Sequence, residues 1–243
     1  MYYYPVNYKI IGKGKKFVLF LHGWGGSTNS FLHVARKLEN TCKTVLIDFY
    51  GFGKTKFPKV SLDTYEYTTQ LYLFLKSKNI EEVSIVAHSF GGRVALILSS
   101  LFDIKIDKLV LIDSAGVLPK RTLSYRFKVC KYKIYKKLSK LNIISDKKLS
   151  KFGSDEYKQL DSVQKRSYVK IVNQGLEYLF KKINSDVLIV WGEKDRTTPL
   201  SMANVLNKNI SKSHLFVYKN SGHFSYIENL SHFCKLVQTF LKV

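Results

Sequence analysis

The sequence predicts an α/β fold in which a doubly wound, mostly parallel sheet carries an inserted helical cap. Short apolar, β-branched runs alternate with longer segments of helical period, which is typical of parallel strands joined by crossover helices. The alternation breaks between about residues 117 and 186, where the apolar residues follow helical spacing among many charges. The length of 243 residues suits one sizeable domain with one insertion.

Six apolar runs are predicted to form the buried strands of the sheet. They cover residues 17–21, 44–48, 83–87, 108–112, 187–191 and 214–218. Residues 6–11 and the turn Gly12-Lys13-Gly14 predict an antiparallel hairpin partner at the sheet edge. We therefore expect residues 1–116 and 187–243 to form the core and residues 117–186 to form the cap.

Composition limits the setting in which the protein works. The formal net charge is +22, and a field of that sign attracts nucleic acid, anionic lipid or acidic protein. Most of the excess is scattered lysine without a nucleic-acid-binding motif, so we expect no nucleic-acid partner.

No apolar run reaches the roughly 18–20 residues of a membrane span, and no export leader is recognisable. Three widely spaced cysteines, Cys42, Cys130 and Cys234, suit a reducing compartment. We expect a cytoplasmic protein.

The first half of the predicted cap is strongly basic. Lysines and arginines between Lys120 and Lys140 are interleaved with aromatic and aliphatic residues, and no acidic residue occurs before Asp146. One interpretation is a lid helix whose apolar side covers the pocket while its lysines face water. The other is an amphipathic helix that lies against an anionic lipid surface. The sequence favours the lid.

The strongest functional signal lies in residues 86–93, which read VAHSFGGR, between a predicted strand and a predicted helix. A serine on a sharp strand-to-helix turn has strained backbone geometry, so small residues must stand two before it and two after it. Ala87 and Gly91 occupy those places. Ser89 is therefore the candidate nucleophile, and we expect its neighbour His88 to pack below the site.

A serine at its free pKa is a poor nucleophile, so a base and an orienting acid are needed. His223 follows the last predicted strand, and Asp195 follows the strand before it. The carboxyl ends of parallel strands are where catalytic residues of open sheets collect. The sequence therefore predicts His223 as the base and Asp195 as the acid. Asp113, which ends an earlier strand, is the alternative acid.

These motifs resemble those of the α/β-hydrolase family over nearly the whole chain, from about Tyr8 onward. The family's nucleophile elbow usually reads Gly-x-Ser-x-Gly, and its catalytic order is serine, acid, histidine. Residues 22–27, HGWGGS, are similar to the family's oxyanion loop. This likeness implies that the backbone N–H groups of Trp24 and Phe90 bind the oxyanion. Residues 48–55 match the family's Asp-x-x-Gly-x-Gly-x-Ser turn, with threonine in place of serine, and are expected to be scaffold.

The resemblance implies a serine hydrolase that cleaves a small-molecule carboxylic ester, or a thioester, without metal or organic cofactor. The HGWG and GFG segments are similar to those of carboxylesterases that demethylate pimeloyl carrier-protein esters and of hydrolases that cleave carbon–carbon bonds in ring-fission products. A basic cap would suit an acidic carrier protein. A carbon–carbon bond hydrolase and a non-catalytic protein that binds a small ligand remain alternatives.

Overall fold

The computed structural model describes residues 5–119, 123–141, 145 and 155–243. Its centre is a seven-stranded sheet of order β1-β3-β2-β4-β5-β6-β7. The strands are β1 (Tyr8–Ile11), β2 (Lys16–Leu21), β3 (Cys42–Ile47), β4 (Glu82–His88), β5 (Lys105–Ile112), β6 (Asp186–Gly192) and β7 (Ser213–Tyr218). Among these described strands, the β1–β3 pair is antiparallel and the five other pairs are parallel. The predicted fold class, a mostly parallel α/β sheet, is confirmed.

Strand β1 lies at the sheet edge but does not form the predicted hairpin. Tyr8 pairs with Ile47 and Ile11 pairs with Thr44, so the partner of β1 is β3. The hairpin prediction is wrong because β3 lies between β1 and β2 in the sheet, so the connection crosses the start of β3. A Cβ on Gly12 would lie 2.2 Å from the Cys42 carbonyl oxygen, so this connection passes directly against the start of β3.

Helices cover both faces of the sheet. They are α1 (Leu32–Lys37), α2 (Thr64–Ser77), α3 (Phe90–Leu101), α4 (Leu123–Lys140), α5 (Asp155–Gln159), α6 (Ser162–Val172), a 3₁₀ helix (Glu177–Lys182), α7 (Leu200–Asn209), α8 (Ser225–Glu228) and α9 (Leu230–Leu241). In β2, Leu19 packs in one apolar cluster with α2, α3 and α7, while Phe20 packs in a second with α1 and α9. Both side-chain rows of the central strands are therefore buried.

The segment between β5 and β6 contributes helices, as the sequence predicts, but its two parts differ in exposure. Leu176, Leu179 and Phe180 are buried in the same cluster as α3. Helix α4 instead exposes large apolar side chains, with Phe127 76% exposed and Leu123 73% exposed. The limits of the cap at residues 117 and 186 stay a prediction, and Lys120, Arg121 and Asp146 lie outside the described residues.

Helix α6 begins at a capping box. The Asp161 carboxylate accepts hydrogen bonds from the backbone N–H groups of Val163 and Gln164. In return, the Asp161 N–H donates to the Gln164 side-chain oxygen. Such reciprocal caps satisfy N–H groups that have no partner inside the helix. The cap fixes where α6 starts and hence which of its residues are buried, namely Ser167 and Ile171. No helix among the described residues combines the length and apolarity that a bilayer crossing requires.

Candidate active site

Ser89 stands on a sharp turn between β4 and α3. Its φ of 49° and ψ of −111° lie outside the regions that L-residues favour. The turn is close to its neighbours, because a Cβ on Gly91 would lie 2.3 Å from the Leu21 carbonyl oxygen. The Ser89 N–H donates to the Ile112 carbonyl at 3.0 Å. This anchoring to β5 holds the strained conformation and lifts the hydroxyl above the sheet edge.

Ser89, His223 and Asp195 come together in one hydrogen-bonded row. The Nε2 atom of His223 lies 3.0 Å from Ser89 Oγ, and its Nδ1 atom lies 2.8 Å from Asp195 Oδ2. The Asp195 side chain is fully buried, whereas the His223 side chain is 15% exposed. The three predicted residues thus have the separations that proton transfer between a hydroxyl and an imidazole requires.

The Asp195 carboxylate is held in its charged form. Burial acts to raise the pKa of Asp195, but hydrogen bonds from His223 and Thr198 outweigh it, so the pKa lies below the usual range. Its Oδ1 accepts the N–H groups of Thr197 at 2.8 Å and Thr198 at 3.0 Å. A carboxylate facing Nδ1 retains the proton there, which leaves the Nε2 lone pair directed at Ser89.

Asp113, the alternative acid, is buried beside this row but holds other groups. It accepts the Gly192 N–H at 2.8 Å, the Ser225 N–H at 3.1 Å and the Ser225 hydroxyl at 2.7 Å. Burial raises the pKa of Asp113 to about 7. Among the described residues the partners of its carboxylate are Gly192 and Ser225, so this side chain ties the end of β6 to the start of α8. The geometry therefore favours Asp195 as the partner of His223.

The two predicted oxyanion donors lie on either side of the serine. Trp24 follows β2, and Phe90 is the first residue of α3. The loop carrying Trp24 touches the elbow, since a Cβ on Gly23 would lie 3.3 Å from the Ser89 Cβ. Within the described part of the chain, neither the Trp24 nor the Phe90 N–H donates a hydrogen bond. Both residues line the cavity over Ser89, so their N–H groups stay the predicted oxyanion donors.

A family profile decides which class of protein carries this site. The profile of the alpha/beta hydrolase fold matches residues 16–129 and 120–230. The chain belongs to the α/β-hydrolase family.

Characterised relatives of this α/β-hydrolase include two kinds of enzyme. The chain is 23% identical to the pimeloyl-[acyl-carrier protein] methyl ester esterase of Wigglesworthia glossinidia brevipalpis, over 98% of each chain. It is 26% identical to the 2-hydroxy-6-oxo-6-(2'-aminophenyl)hexa-2,4-dienoic acid hydrolase of Metapseudomonas resinovorans, over 97% of this chain and 87% of the relative. Among solved structures, an esterase from Exiguobacterium antarcticum superposes with a TM-score of 0.76 at 22% identity, over 98% of this chain and 96% of that one.

Two buried histidines brace the site of this α/β-hydrolase in neutral form. His88 donates from Nε2 to the His223 carbonyl oxygen at 2.8 Å, and burial lowers the pKa of His88 to about 3. His22 donates from Nδ1 to the Gly23 carbonyl and accepts the Phe49 N–H at Nε2. Burial lowers the pKa of His22 to about 4. Neither ring carries a charge at neutral pH, and each fixes a loop that contributes to the site.

A cavity of about 430 Å³ opens over Ser89. Helix α6 contributes Tyr168, Ile171 and Val172 to its wall, and the Tyr168 ring lies 5.2 Å from the Trp24 ring. Apolar walls around a few polar groups are typical of small-molecule sites. Within the described residues, no group of three or more His, Cys, Asp or Glu side chains is arranged to hold a metal ion.

Sequence reasoning missed two residues that act on this site. Thr198 hydrogen-bonds both Asp195 Oδ2, at 2.7 Å, and the Asp113 carbonyl oxygen, at 2.9 Å. A threonine three residues after a candidate acid carries too little signal to single out. Arg93 lines the cavity. It ends the VAHSFGGR segment, so its position was visible although its orientation was not.

Proposed function

We propose that this α/β-hydrolase is a serine hydrolase that cleaves carboxylic ester bonds through an acyl-enzyme on Ser89. One observation carries the proposal: His223 Nε2 lies 3.0 Å from Ser89 Oγ while Nδ1 lies 2.8 Å from the buried Asp195 carboxylate. This is the arrangement that activates a weak hydroxyl nucleophile. The esterase relative of matching length supports ester as the substrate class.

In the acylation step, His223 removes the Ser89 hydroxyl proton while Oγ attacks the acyl carbon. Negative charge then develops on the former carbonyl oxygen, where the N–H groups of Trp24 and Phe90 bind it. Each donor of this kind is worth about 3–4 kcal/mol of the barrier. His223 returns its proton to the leaving alcohol as the carbon–oxygen bond breaks.

In the deacylation step, His223 takes a proton from water, and the hydroxide formed attacks the acyl carbon. The acyl–serine bond breaks, Oγ recovers the proton from His223, and the acid is released. Asp195 stays ionised throughout and stabilises the imidazolium that forms twice in each cycle.

A second candidate keeps the triad and changes the bond cleaved. The relative from Metapseudomonas resinovorans is named as a hydrolase of a dienoic acid, so carbon–carbon bond hydrolysis at Ser89 is the alternative reaction. A panel containing esters from acetate to palmitate, a thioester and a ring-fission dienoic acid separates these reactions. The proposed enzyme turns over the esters and leaves the dienoic acid intact.

Replacement of the nucleophile tests the proposal directly. We expect Ser89→Ala to abolish hydrolysis of p-nitrophenyl butyrate and labelling by a fluorophosphonate probe, because both require the Oγ atom. Ser231→Ala removes an exposed hydroxyl from α9 and is the matched control that should retain both. Undiminished turnover by Ser89→Ala would refute the assignment, and a wild type that the probe fails to label would indicate a binding protein.

The exposed side of α4 is proposed to dock this enzyme on an anionic lipid surface. Leu123, Phe127 and Ile134 are each more than half exposed, and exposed lysines lie between them on the same helix. Apolar side chains can enter the acyl region while lysines contact headgroups. An acidic carrier protein would use the lysines without needing the exposed apolar side chains.

A further inference from the structure

Arg93 places a buried positive charge in the wall of the active-site cavity. It lies on the first turn of α3, four residues after Ser89, and is only 5% exposed. Of the described residues that line the cavity, Arg93 is the one lysine, arginine, aspartate or glutamate. Any ligand in the cavity therefore meets a fixed positive charge without a neighbouring carboxylate in the wall.

Within the part of the chain that the structure describes, Arg93 uses few of its hydrogen-bond donors. Its Nη1 donates to the Gln174 carbonyl oxygen at 2.6 Å, whereas a guanidinium has five N–H donors. Burial lowers the pKa of Arg93 to about 10, against the charge of Glu177, so the side chain is still protonated at neutral pH. Within the described residues no carboxylate lies within 4 Å of it.

Glu177, the carboxylate whose charge acts on Arg93, already holds another group. Glu177 Oε1 accepts the Leu118 N–H at 2.7 Å, so this carboxylate holds the chain that leads out of β5. Burying a charge whose N–H donors lack partners is unfavourable, and an anion bound at those donors would offset this cost. A planar guanidinium is also the group best shaped to bind a carboxylate through two parallel hydrogen bonds.

We infer that Arg93 binds a carboxylate on the substrate, so that the enzyme acts on esters carrying an anionic group at the far end of the acyl chain. This inference rests on the proposed function and names its substrate class. Ser89 is the N-cap of α3 and Arg93 lies in its first turn, and both residues line the same cavity. One small molecule can therefore place its ester carbonyl at Ser89 and its carboxylate at Arg93, as a half-ester of a short dicarboxylic acid would.

A matched pair of substrates tests the inference. Monomethyl adipate carries one carboxylate, and dimethyl adipate has the same chain without a charge. We expect the wild type to favour the half-ester in kcat/KM, and Arg93→Gln to reduce the ratio of the two kcat/KM values at least tenfold, chiefly through KM for the half-ester. Arg93→Lys keeps the charge but loses the planar fork, and should recover part of the ratio.

The control for total charge is Arg166→Gln, which removes an exposed arginine from α6. It should leave the ratio at the wild-type value. Equal ratios in the wild type and Arg93→Gln would overturn the inference, and a lower unfolding temperature with an unaltered ratio would assign Arg93 a tethering role only. If Arg93→Gln does not fold, a wild type without preference for the half-ester gives the same negative answer.

A binding measurement separates this inference from the proposed function. Calorimetry of monomethyl adipate with Ser89→Ala requires no turnover, and we expect this variant to bind the half-ester. The double variant Ser89→Ala/Arg93→Lys should bind it more weakly. Dimethyl adipate should not bind to Ser89→Ala in the same way. Binding without any wild-type ester hydrolysis would refute the proposed function and leave the anion site standing. Hydrolysis of neutral esters without binding of the half-ester would refute the anion site and leave the proposed function standing.

Discussion

Asp195 and Asp113 are both buried near the imidazole of His223, but they hold different groups. Asp195 lies 2.8 Å from Nδ1, while Asp113 holds Gly192 and Ser225. The first contact bears on the tautomer of the base, and the second bears on the position of the loops. A carboxylate that sets the tautomer affects the chemical step, whereas one that joins two loops affects mainly the stability of the fold.

Replacing each acid by its amide separates these two roles. We expect Asp195→Asn to lower kcat for p-nitrophenyl butyrate by about 10⁴-fold, because the amide no longer retains the proton on Nδ1. Asp113→Asn should reduce kcat much less and lower the free energy of unfolding by about 1–3 kcal/mol, because in either orientation its NH₂ group faces a backbone N–H, of Gly192 or of Ser225. Kinetics with urea unfolding measure both, and a larger kcat loss in Asp113→Asn would exchange the assignments.

The sequence predicted Asp195 as the acid and left Asp113 as the alternative. Both residues follow a buried strand, so strand position alone does not exclude Asp113. The choice depends on the path of the loops after β6 and β7, which apolar periodicity does not encode. Arg93 shows the same limit, because its place after the elbow is visible in the sequence while its burial and its hydrogen bond to the Gln174 carbonyl are not.

At the scale of the elements, the central parallel strands were predictable because both of their faces are buried. The predicted run 108–112 matches the buried part of β5 and misses its start at Lys105, where partly exposed, charged residues interrupt the apolar run. The partner of β1 was not predictable, since alternation along one strand contains no information about its neighbour. The antiparallel direction of β1 and its place at the sheet edge followed from the sequence, but its pairing with β3 is seen only in the structure.

Helix α4 allows a prediction about the lipid surface proposed above. We expect the protein to sediment with vesicles containing phosphatidylserine at low salt, and less at high salt, because each lysine near an anionic surface contributes about 1 kcal/mol. Replacing Lys131, Lys133 and Lys137 with glutamine should reduce the bound fraction. These three lysines are exposed on α4.

The matched control removes three exposed lysines from another part of the molecule, Lys208, Lys212 and Lys235. If both triple variants lose binding equally, the net charge and not α4 attracts the lipid. If neither wild type nor variants sediment, and an acidic carrier protein instead binds through the α4 lysines, the partner is a protein.

For the whole molecule, two buried neutral histidines make stability depend on pH. The pKa values of His22 and His88 fall from 6.5 to about 4 and about 3 on folding. The unfolded chain therefore binds more protons between these values, so their contribution is present above pH 6.5 and is lost as the pH falls. Asp113 acts in the opposite direction, since burial raises its pKa to about 7.

Comparison with a variant isolates one histidine from these opposing effects. We expect the unfolding free energy of His88→Phe to fall less steeply than that of the wild type between pH 6.5 and 4, by up to about 1.4 kcal/mol per pH unit. His214→Gln, which changes an exposed histidine of β7, should follow the wild-type slope. Urea unfolding at several pH values gives the slopes, and parallel wild-type and His88→Phe curves would contradict the prediction.

The sheet order has a consequence for when the enzyme becomes able to act. Ser89 directly follows β4 in the middle of the sheet, but His223 follows β7, which is the strand at the far edge. A ribosome-bound chain that has folded only its first five strands therefore exposes a hydroxyl with no base beside it. The pairing of His223 with Ser89 therefore requires β7 to lie at the sheet edge, and a polypeptide that ends before β7 lacks the proposed base.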